Sequence, residues 1–317
     1  MSRLFIPFVL LFLFLFKMQC VSQNNNIVVK SEMDKDWSVK FSYEKKDYGT
    51  HYLQVNFKYL ENSNSNGFRG NIQGPIGSLF TIKPNDPQRS IAYSYDYTWI
   101  RGKLMSKIDT GFIYLLPVSK GNTVKVFNHS YLYTQYFGAN QPRNWKSFQF
   151  NVSEGDTVFS ARKGLVVEVN DGFEPDTAFF YSSKSNSILV EHEDGTLARY
   201  SVLKKGSITV KPGQTVFAHA PMAVAGTYNL SGNSQISFSV CYLTEDKLDN
   251  SGHTTIKTIK HYYSFVDPIF HTSEGDIHLK ANQNYTADFN YELITKELNK
   301  REKKQMESQK LIYSNIR

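Results

Sequence analysis

The stretch Ile188-Leu-Val-Glu-His-Glu-Asp-Gly195 contains the pattern that recurs through the middle of this chain. An apolar run ends in an Asp-Gly pair, which is typical of a β-strand followed by a tight turn. Lys163–Val169 and Ile208–Val216 are further strand-like segments, and Gly155 and Gly213 lie in further turns. Glycine favours such turns because it adopts positive φ without strain. The region therefore predicts a scaffold of short strands, and the turn glycines indicate no reaction by themselves.

The same pattern of short strands and turns extends toward the N-terminus. Trp37–Tyr43 and Tyr52–Tyr59 alternate apolar and polar residues with a period of two, and turn-forming residues separate them. Short strands at a spacing of roughly ten residues are typical of a β-sandwich. We predict a sandwich domain over residues 37–137, preceded by a flexible polar segment over residues 23–36. A polar connector at residues 138–144 marks the predicted domain boundary.

The first 22 residues have the composition of a secretory signal peptide. Arg3 supplies a positive charge, and the apolar run Leu4–Phe16 is shorter than the ~20 residues that span a bilayer. We expect cleavage after Ser22; the alternative, a lipid attached at Cys20, is disfavoured by the three residues before that cysteine. The sequence predicts an exported protein, in the periplasm, at the cell surface or outside the cell, with no transmembrane segment in the mature chain.

Much of the positive charge lies at the C-terminal end. The net charge is +7, and residues 296–317 contain seven basic and three acidic side chains. Two more positive charges, Arg3 and Lys17, lie in the signal peptide, so the rest of the mature chain is nearly neutral, which argues against a nucleic-acid-binding domain. Residues 290–317 predict a basic helical tail that is solvated and dispensable for folding. Cys241 is the only cysteine besides Cys20, and its strand-like surroundings predict a small buried apolar side chain.

Residues 145–242 resemble the LytM/lysostaphin-type zinc endopeptidases, which have the duplicated hybrid motif fold and cleave peptidoglycan cross-bridges. The order and spacing of the matched segments are those of the family. These segments are Glu154–Ala161, Lys163–Val169, Ile188–Gly195, Leu197–Tyr200, Ile208–Val216 and Ile236–Val240. The resemblance implies a mainly β protein: an N-terminal β-sandwich, a LytM-like β domain with a β extension over residues 145–288, and a C-terminal charged helix.

In that family the chemistry depends on a His-x-x-x-Asp pair, a His in a Tyr-x-His-Leu segment and a terminal His-x-His. Aligned on the matched turns and strands, these positions fall on Trp145, Gln149, Val202, Gln235 and Ser237. Catalytic zinc takes about three protein ligands from His, Cys and carboxylates, and none of the five residues is of these types. The resemblance therefore implies a catalytically degenerate member with no catalytic residue, no metal and no cofactor.

The residues at the former site leave more than one role open. Gln149, Tyr200, Gln235 and Ser237 can hydrogen-bond a ligand without metal, or they fill the space that zinc would occupy. We expect a non-catalytic binding or regulatory module at the cell wall or envelope. Its expected partners are a cell-wall peptide, a glycan or a cell-wall hydrolase, and not nucleic acid. The alternatives are a divergent metalloendopeptidase that cleaves peptidoglycan cross-links and a structural surface protein.

Overall fold

The computed structural model describes residues 26–128, 142–174, 185–227, 232–244, 262–304 and 306–307. Within these ranges the chain is mainly β, which confirms the predicted fold class. The helix α1 covers Tyr291–Thr295, and residues 300–304 are also helical. The strands are β1 (Ile27–Met33), β2 (Val39–Lys45), β3 (His51–Glu61), β4 (Phe68–Ile72), β5 (Ile76–Ile82), β6 (Ala92–Arg101), β7 (Ile113–Leu115), β8 (Thr123–Asn128), β9 (Phe148–Asn151), β10 (Thr157–Phe159), β11 (Gly164–Asn170), β12 (Asn186–Glu191), β13 (Leu197–Leu203), β14 (Thr215–Val216), β15 (Pro221–Val224), β16 (Gln235–Leu243), β17 (Tyr263–Phe265), β18 (Ile269–Thr272), β19 (Gly275–His278) and β20 (Asn284–Thr286).

Strands β1 to β6 form the predicted N-terminal sandwich. One antiparallel sheet has the order β1-β2-β5 and the other the order β4-β3-β6. The alternation read from the sequence is observed in β2, where Val39, Phe41 and Tyr43 are buried. Phe41 stacks on Phe80 with a ring-centroid distance of 4.5 Å, and Tyr95 meets Phe41 edge-on at 5.2 Å. Aromatic packing between the two sheets therefore forms this core.

Strand β1 lies in the segment predicted to be flexible. Ile27 and Val29 are buried in the sandwich core, and β1 pairs with β2 along its whole length. Tyr95 and Tyr97 donate hydrogen bonds to the carbonyl oxygens of Val29 and Ile27, at 3.2 and 3.4 Å. The prediction of flexibility was wrong for residues 27–33, because two buried apolar side chains suffice to hold a strand whose other residues are mostly polar.

The rest of the chain is built around a nine-stranded sheet. Its order is β14-β11-β12-β13-β16-β9-β8-β20, and β17 pairs with the end of β16. One face of the sheet covers the largest hydrophobic core, which includes Phe148, Phe150, Tyr200 and Phe238. Small sheets formed by β10-β15 and by β19-β18-β7 close this core. The opposite face of the large sheet carries Gln149, Ser237 and their neighbours.

Strands β7 and β8 pair with the second half of the chain and not with the sandwich. β8 lies between β9 and β20, and β7 pairs in parallel with β18. The sandwich strands therefore end at Arg101, before the predicted limit at residue 137. Alternation indicates a strand but does not specify its partner, so the sequence assigned these strands to the wrong sheet. Residues 129–141 of the predicted boundary lie outside the described residues, and separate folding of the two units remains a prediction.

The C-terminal segment makes more contacts than its charged composition led us to expect. Helix α1 begins after Asn290, whose side chain accepts a hydrogen bond from the Leu293 backbone N–H. Ile294 and Leu298 are buried, and Glu297 forms an ion pair with Arg162 at 2.8 Å. Among the described residues, no helix has the length and hydropathy to cross a membrane. Residues 308–317 of the predicted tail lie outside the described part of the chain.

Candidate functional site

Three of the five residues that the resemblance aligns with zinc-site positions lie together on one face of the large sheet. Gln149 of β9 and Ser237 of β16 are directly opposite each other in the antiparallel register, where Cβ atoms lie about 4.5–5.5 Å apart. Gln235 is two residues from Ser237 on the same strand, so its side chain points to the same face. Ile236 and Phe238 between and beyond them face the core. Gln235 and Ser237 are each 8% exposed, whereas Gln149 is half-buried.

Val202, another sequence-predicted position, lies at a β-bulge in β13. Ser201 and Leu203 pair with successive residues of β12, so Val202 is an extra, unpaired residue, and its φ is +65°. Val202 is buried. Tyr200 and Leu203 both face the core, so the alternation shifts by one residue across the bulge.

Tyr200 does not line the face that carries Gln149 and Ser237. Its side chain is fully buried in the main core, and its hydroxyl oxygen accepts a hydrogen bond from the Ala161 backbone N–H at 2.8 Å. Burial raises the pKa of the Tyr200 phenol. The expectation that Tyr200 contacts a ligand in the groove therefore has no support in its position, because a residue of β13 that faces the core cannot also face the groove.

Trp145 lies before β9 and packs against a different neighbour. Its ring is 4.6 Å from the ring of Phe265 on β17, at an interplanar angle of 60°. It is half-buried. The structure thus brings Gln149, Gln235 and Ser237 together, and places Trp145 beside β17.

The donor set at the altered positions does not fit zinc. Gln149, Gln235 and Ser237 carry neutral amide and hydroxyl groups, whereas zinc is held by imidazole, thiolate and carboxylate. Within the described ranges, no three His, Cys, Asp or Glu side chains are arranged to hold a metal ion. His129, His253 and His261 lie outside those ranges.

The region that contains these residues matches the model of a known protein family. Residues 143–250 match the model of peptidase family M23. This part of the chain is an M23 peptidase-family domain. The matched range includes all five altered positions, and the resemblance to the LytM/lysostaphin-type enzymes is confirmed at the level of the family. Comparison with curated protein sequences gives no significant match.

Several solved structures are similar to this chain over part of its length. Lysostaphin from Staphylococcus simulans is 19% identical, with 36% of this chain and 42% of that chain covered and a TM-score of 0.25. The M23 metalloprotease pseudoalterin from the deep sea is 16% identical, with 56% and 96% covered and a TM-score of 0.29. A chain from the complex of SpoIIIAH and SpoIIQ is 18% identical, with 40% and 90% covered and a TM-score of 0.25. This chain thus spans less than half the length of lysostaphin, and the likeness concerns the fold alone.

A buried ion-pair cluster in the M23 domain was missed by the sequence analysis. The Arg162 guanidinium lies 2.8 Å from the carboxylates of both Asp194 and Glu297, and it stacks 3.7 Å from the centre of the Phe112 ring. Burial alone would raise the pKa of Asp194, but hydrogen bonds from Arg162 and Thr196 hold it below the ordinary value. Glu297 comes from the C-terminal segment, so Arg162 joins that segment to the Glu-Asp-Gly turn.

His192 lies beside this cluster and stays neutral. Its Nδ1 is 2.7 Å from the Lys163 carbonyl oxygen, which only accepts, so Nδ1 carries the proton. Its Nε2 is buried and has no hydrogen-bond partner among the described residues. Burial, with the nearby positive charge of Arg162, lowers the pKa of His192 to about 3. His192 is therefore a structural side chain of the domain, and its charged form is excluded at neutral pH.

Proposed function

We propose that this chain is an exported, non-catalytic member of peptidase family M23 that works as a binding or regulatory module at the cell wall or envelope. The observation that carries the proposal is the chemistry of the five altered positions, which are Trp145, Gln149, Val202, Gln235 and Ser237. Zinc hydrolases need a metal-activated water and a base that takes its proton. None of the five side chains binds zinc in this way or acts as a base at neutral pH.

The proposed partners are a cell-wall peptide, a glycan strand or a cell-wall hydrolase. Gln149 and Ser237 lie opposite each other on adjacent strands, and together they offer amide and hydroxyl groups that both donate and accept hydrogen bonds. Peptide and sugar groups have the same mixed donor and acceptor character. Because Gln149 is the more exposed of the two, we expect it to make the first contact with such a partner.

Binding and cleavage are tested together with insoluble peptidoglycan. The chain, purified without chelator, is mixed with peptidoglycan, sedimented and assayed for new amino groups in the supernatant. We expect the chain to sediment with the wall and to release no amino groups, whereas an active M23 peptidase in parallel releases them. Release at a comparable rate would contradict the non-catalytic proposal and favour a divergent endopeptidase.

A pair of variants locates the contact. Gln149→Ala combined with Ser237→Ala removes the opposed polar pair, and we expect it to weaken sedimentation about tenfold, the effect of losing one or two hydrogen bonds. Gln88→Ala is the matched control because Gln88 is exposed on a sandwich loop. Equal binding by both variants would remove this face from the proposal, and failure of all forms to sediment would leave a protein as the remaining proposed partner.

A further inference from the structure

A pocket of about 470 Å³ lies on the outer face of the large sheet, beside the altered zinc positions. Of those five positions it includes only Trp145. Its floor is formed by Leu189, Leu197 and Cys241, whose side chains belong to a small apolar cluster separate from the main core. Pockets of about 300–1,000 Å³ are the size of small-molecule sites. This pocket therefore has both the volume and the floor for an apolar group.

Aromatic side chains form one wall of the pocket. Trp145 and Phe265 pack together at 4.6 Å, and Tyr262 and Tyr263 line the pocket beside them. The Tyr263 hydroxyl donates a hydrogen bond to the Arg101 carbonyl oxygen at 2.7 Å, which fixes its ring. A wall of positioned rings favours a flat or branched apolar group over a flexible polar one.

The last strand of the sandwich contributes Arg101 at the pocket mouth. Its Nη2 lies 2.7 Å from a carboxylate oxygen of Asp47, and its Nη1 donates to the Tyr48 carbonyl oxygen at 2.7 Å. Both ends of the guanidinium are thus engaged within the protein. The charge of Arg101 is therefore offset by Asp47, and its position is fixed by these partners.

Arg199 is the second guanidinium at the mouth, and its contacts are looser. It donates one long hydrogen bond to the Ser187 hydroxyl, at 3.4 Å, and its Nη1 lies 3.8 Å from a Glu168 oxygen. Its side chain is 44% exposed. A guanidinium has five N–H donors arranged to hold a carboxylate at two points. Arg199 therefore retains donors for an anion that enters the pocket.

We propose that this pocket binds a small carboxylate with an aromatic or branched apolar body. The carboxylate pairs with Arg199, and the body lies between Trp145 and the floor of Leu189, Leu197 and Cys241. The anion is assigned to Arg199 because Arg101 is already paired with Asp47, whereas the contact of Arg199 with Glu168 is loose, at 3.8 Å. The site goes beyond the proposed function, since it does not depend on whether the altered positions bind zinc or a wall component.

Three small molecules test separately whether the carboxylate and the apolar body of the ligand contribute to binding. Isothermal titration calorimetry of the full chain compares 3-phenylpropionate with its neutral amide and with acetate. We expect binding of phenylpropionate, binding of the amide at least about tenfold weaker for want of a charge-assisted pair, and no measurable heat with acetate. Equal binding of acid and amide would overturn the role of charge. No heat from phenylpropionate up to about 10 mM, weaker than any useful site, would overturn the pocket itself.

Variants assign the binding to named groups. Arg199→Gln is expected to weaken phenylpropionate binding about tenfold, and Glu168→Gln to leave it unchanged or strengthen it. Arg89→Gln is the matched control because Arg89 is a surface arginine of the sandwich that pairs with Glu61. Ser239→Leu introduces a larger side chain into the pocket without altering charge, and we expect it to abolish binding. Unchanged affinity in both Arg199→Gln and Ser239→Leu, each with a normal thermal melt, would contradict the proposal.

Discussion

Replacing Arg162 with methionine tests the ion-pair cluster that fastens the C-terminal segment to the M23 domain. Arg162 is 3% exposed, and its loss leaves the carboxylates of Asp194 and Glu297 without their common partner. Breaking a buried ion pair from one side costs about 3–5 kcal/mol of unfolding free energy. For a protein of this size the melting temperature falls by about 2–4 °C per kcal/mol of lost stability, so we expect it to fall by roughly 6–20 °C.

The matched control uses an exposed ion pair. Arg89 pairs with Glu61 at 3.0 Å, with both side chains more than half exposed, so Arg89→Met should cost about 1 kcal/mol or less. Adding Glu297→Gln to Arg162→Met should recover part of the loss, because the uncompensated carboxylate is removed. Thermal and urea unfolding followed by circular dichroism measure all four proteins. If Arg162→Met melts within about 2 °C of the unmodified chain, the cluster does not stabilise the fold as argued.

Three further predictions concern pH, the C-terminal segment and export. His192 has a pKa of about 3 in the fold, below its unfolded value, so the free energy of unfolding should decrease as pH falls below about 6.5, by up to ~1.4 kcal/mol per pH unit. Urea unfolding at pH 7, 6 and 5 should show a weaker dependence of this free energy on pH in His192→Gln than in the unmodified chain. Equal pH dependence in the two proteins would refute this. A chain ending at Asp288 loses the buried side chains of Ile294 and Leu298, and burial of each contributes about 1.5–3 kcal/mol to the free energy of unfolding. Its melting temperature should therefore fall. An unchanged melting temperature would instead support the sequence-based prediction of a dispensable tail. Intact mass spectrometry of exported protein should give a chain that begins at Gln23, and a chain that begins at a lipid-modified Cys20 would contradict it.

The local sequence pattern predicted where the strands lie better than it predicted which strands pair with each other. The alternation in Trp37–Tyr43 predicted a strand with one buried face, and β2 has Val39, Phe41 and Tyr43 buried. The bulge at Val202 was not predicted, because a valine with positive φ gives no glycine signal in the sequence. The alignment placed Tyr200 at the groove, whereas the structure places it in the core opposite Phe238.

Long-range contacts account for what the sequence did not reveal. Arg162 meets Asp194 across a turn and Glu297 from the far end of the chain, and no spacing rule connects residues so far apart. The pocket beside Trp145 combines Arg101 of the sandwich with Arg199 and Phe265 of the later strands. The five positions aligned with the family's zinc site came from the sequence alone, and their assignment stays a prediction of that alignment.

Zinc content tests the central claim most directly. The chain, expressed with ample zinc and purified without chelator, is analysed for metal by mass spectrometry and for affinity by titration against a competing zinc indicator. We predict well under one zinc per chain and no change in metal content on Gln149→Ala or Ser237→Ala. About one tightly held zinc per chain, lost on replacement of any of the eight histidines, would contradict the proposal that this M23 domain is non-catalytic.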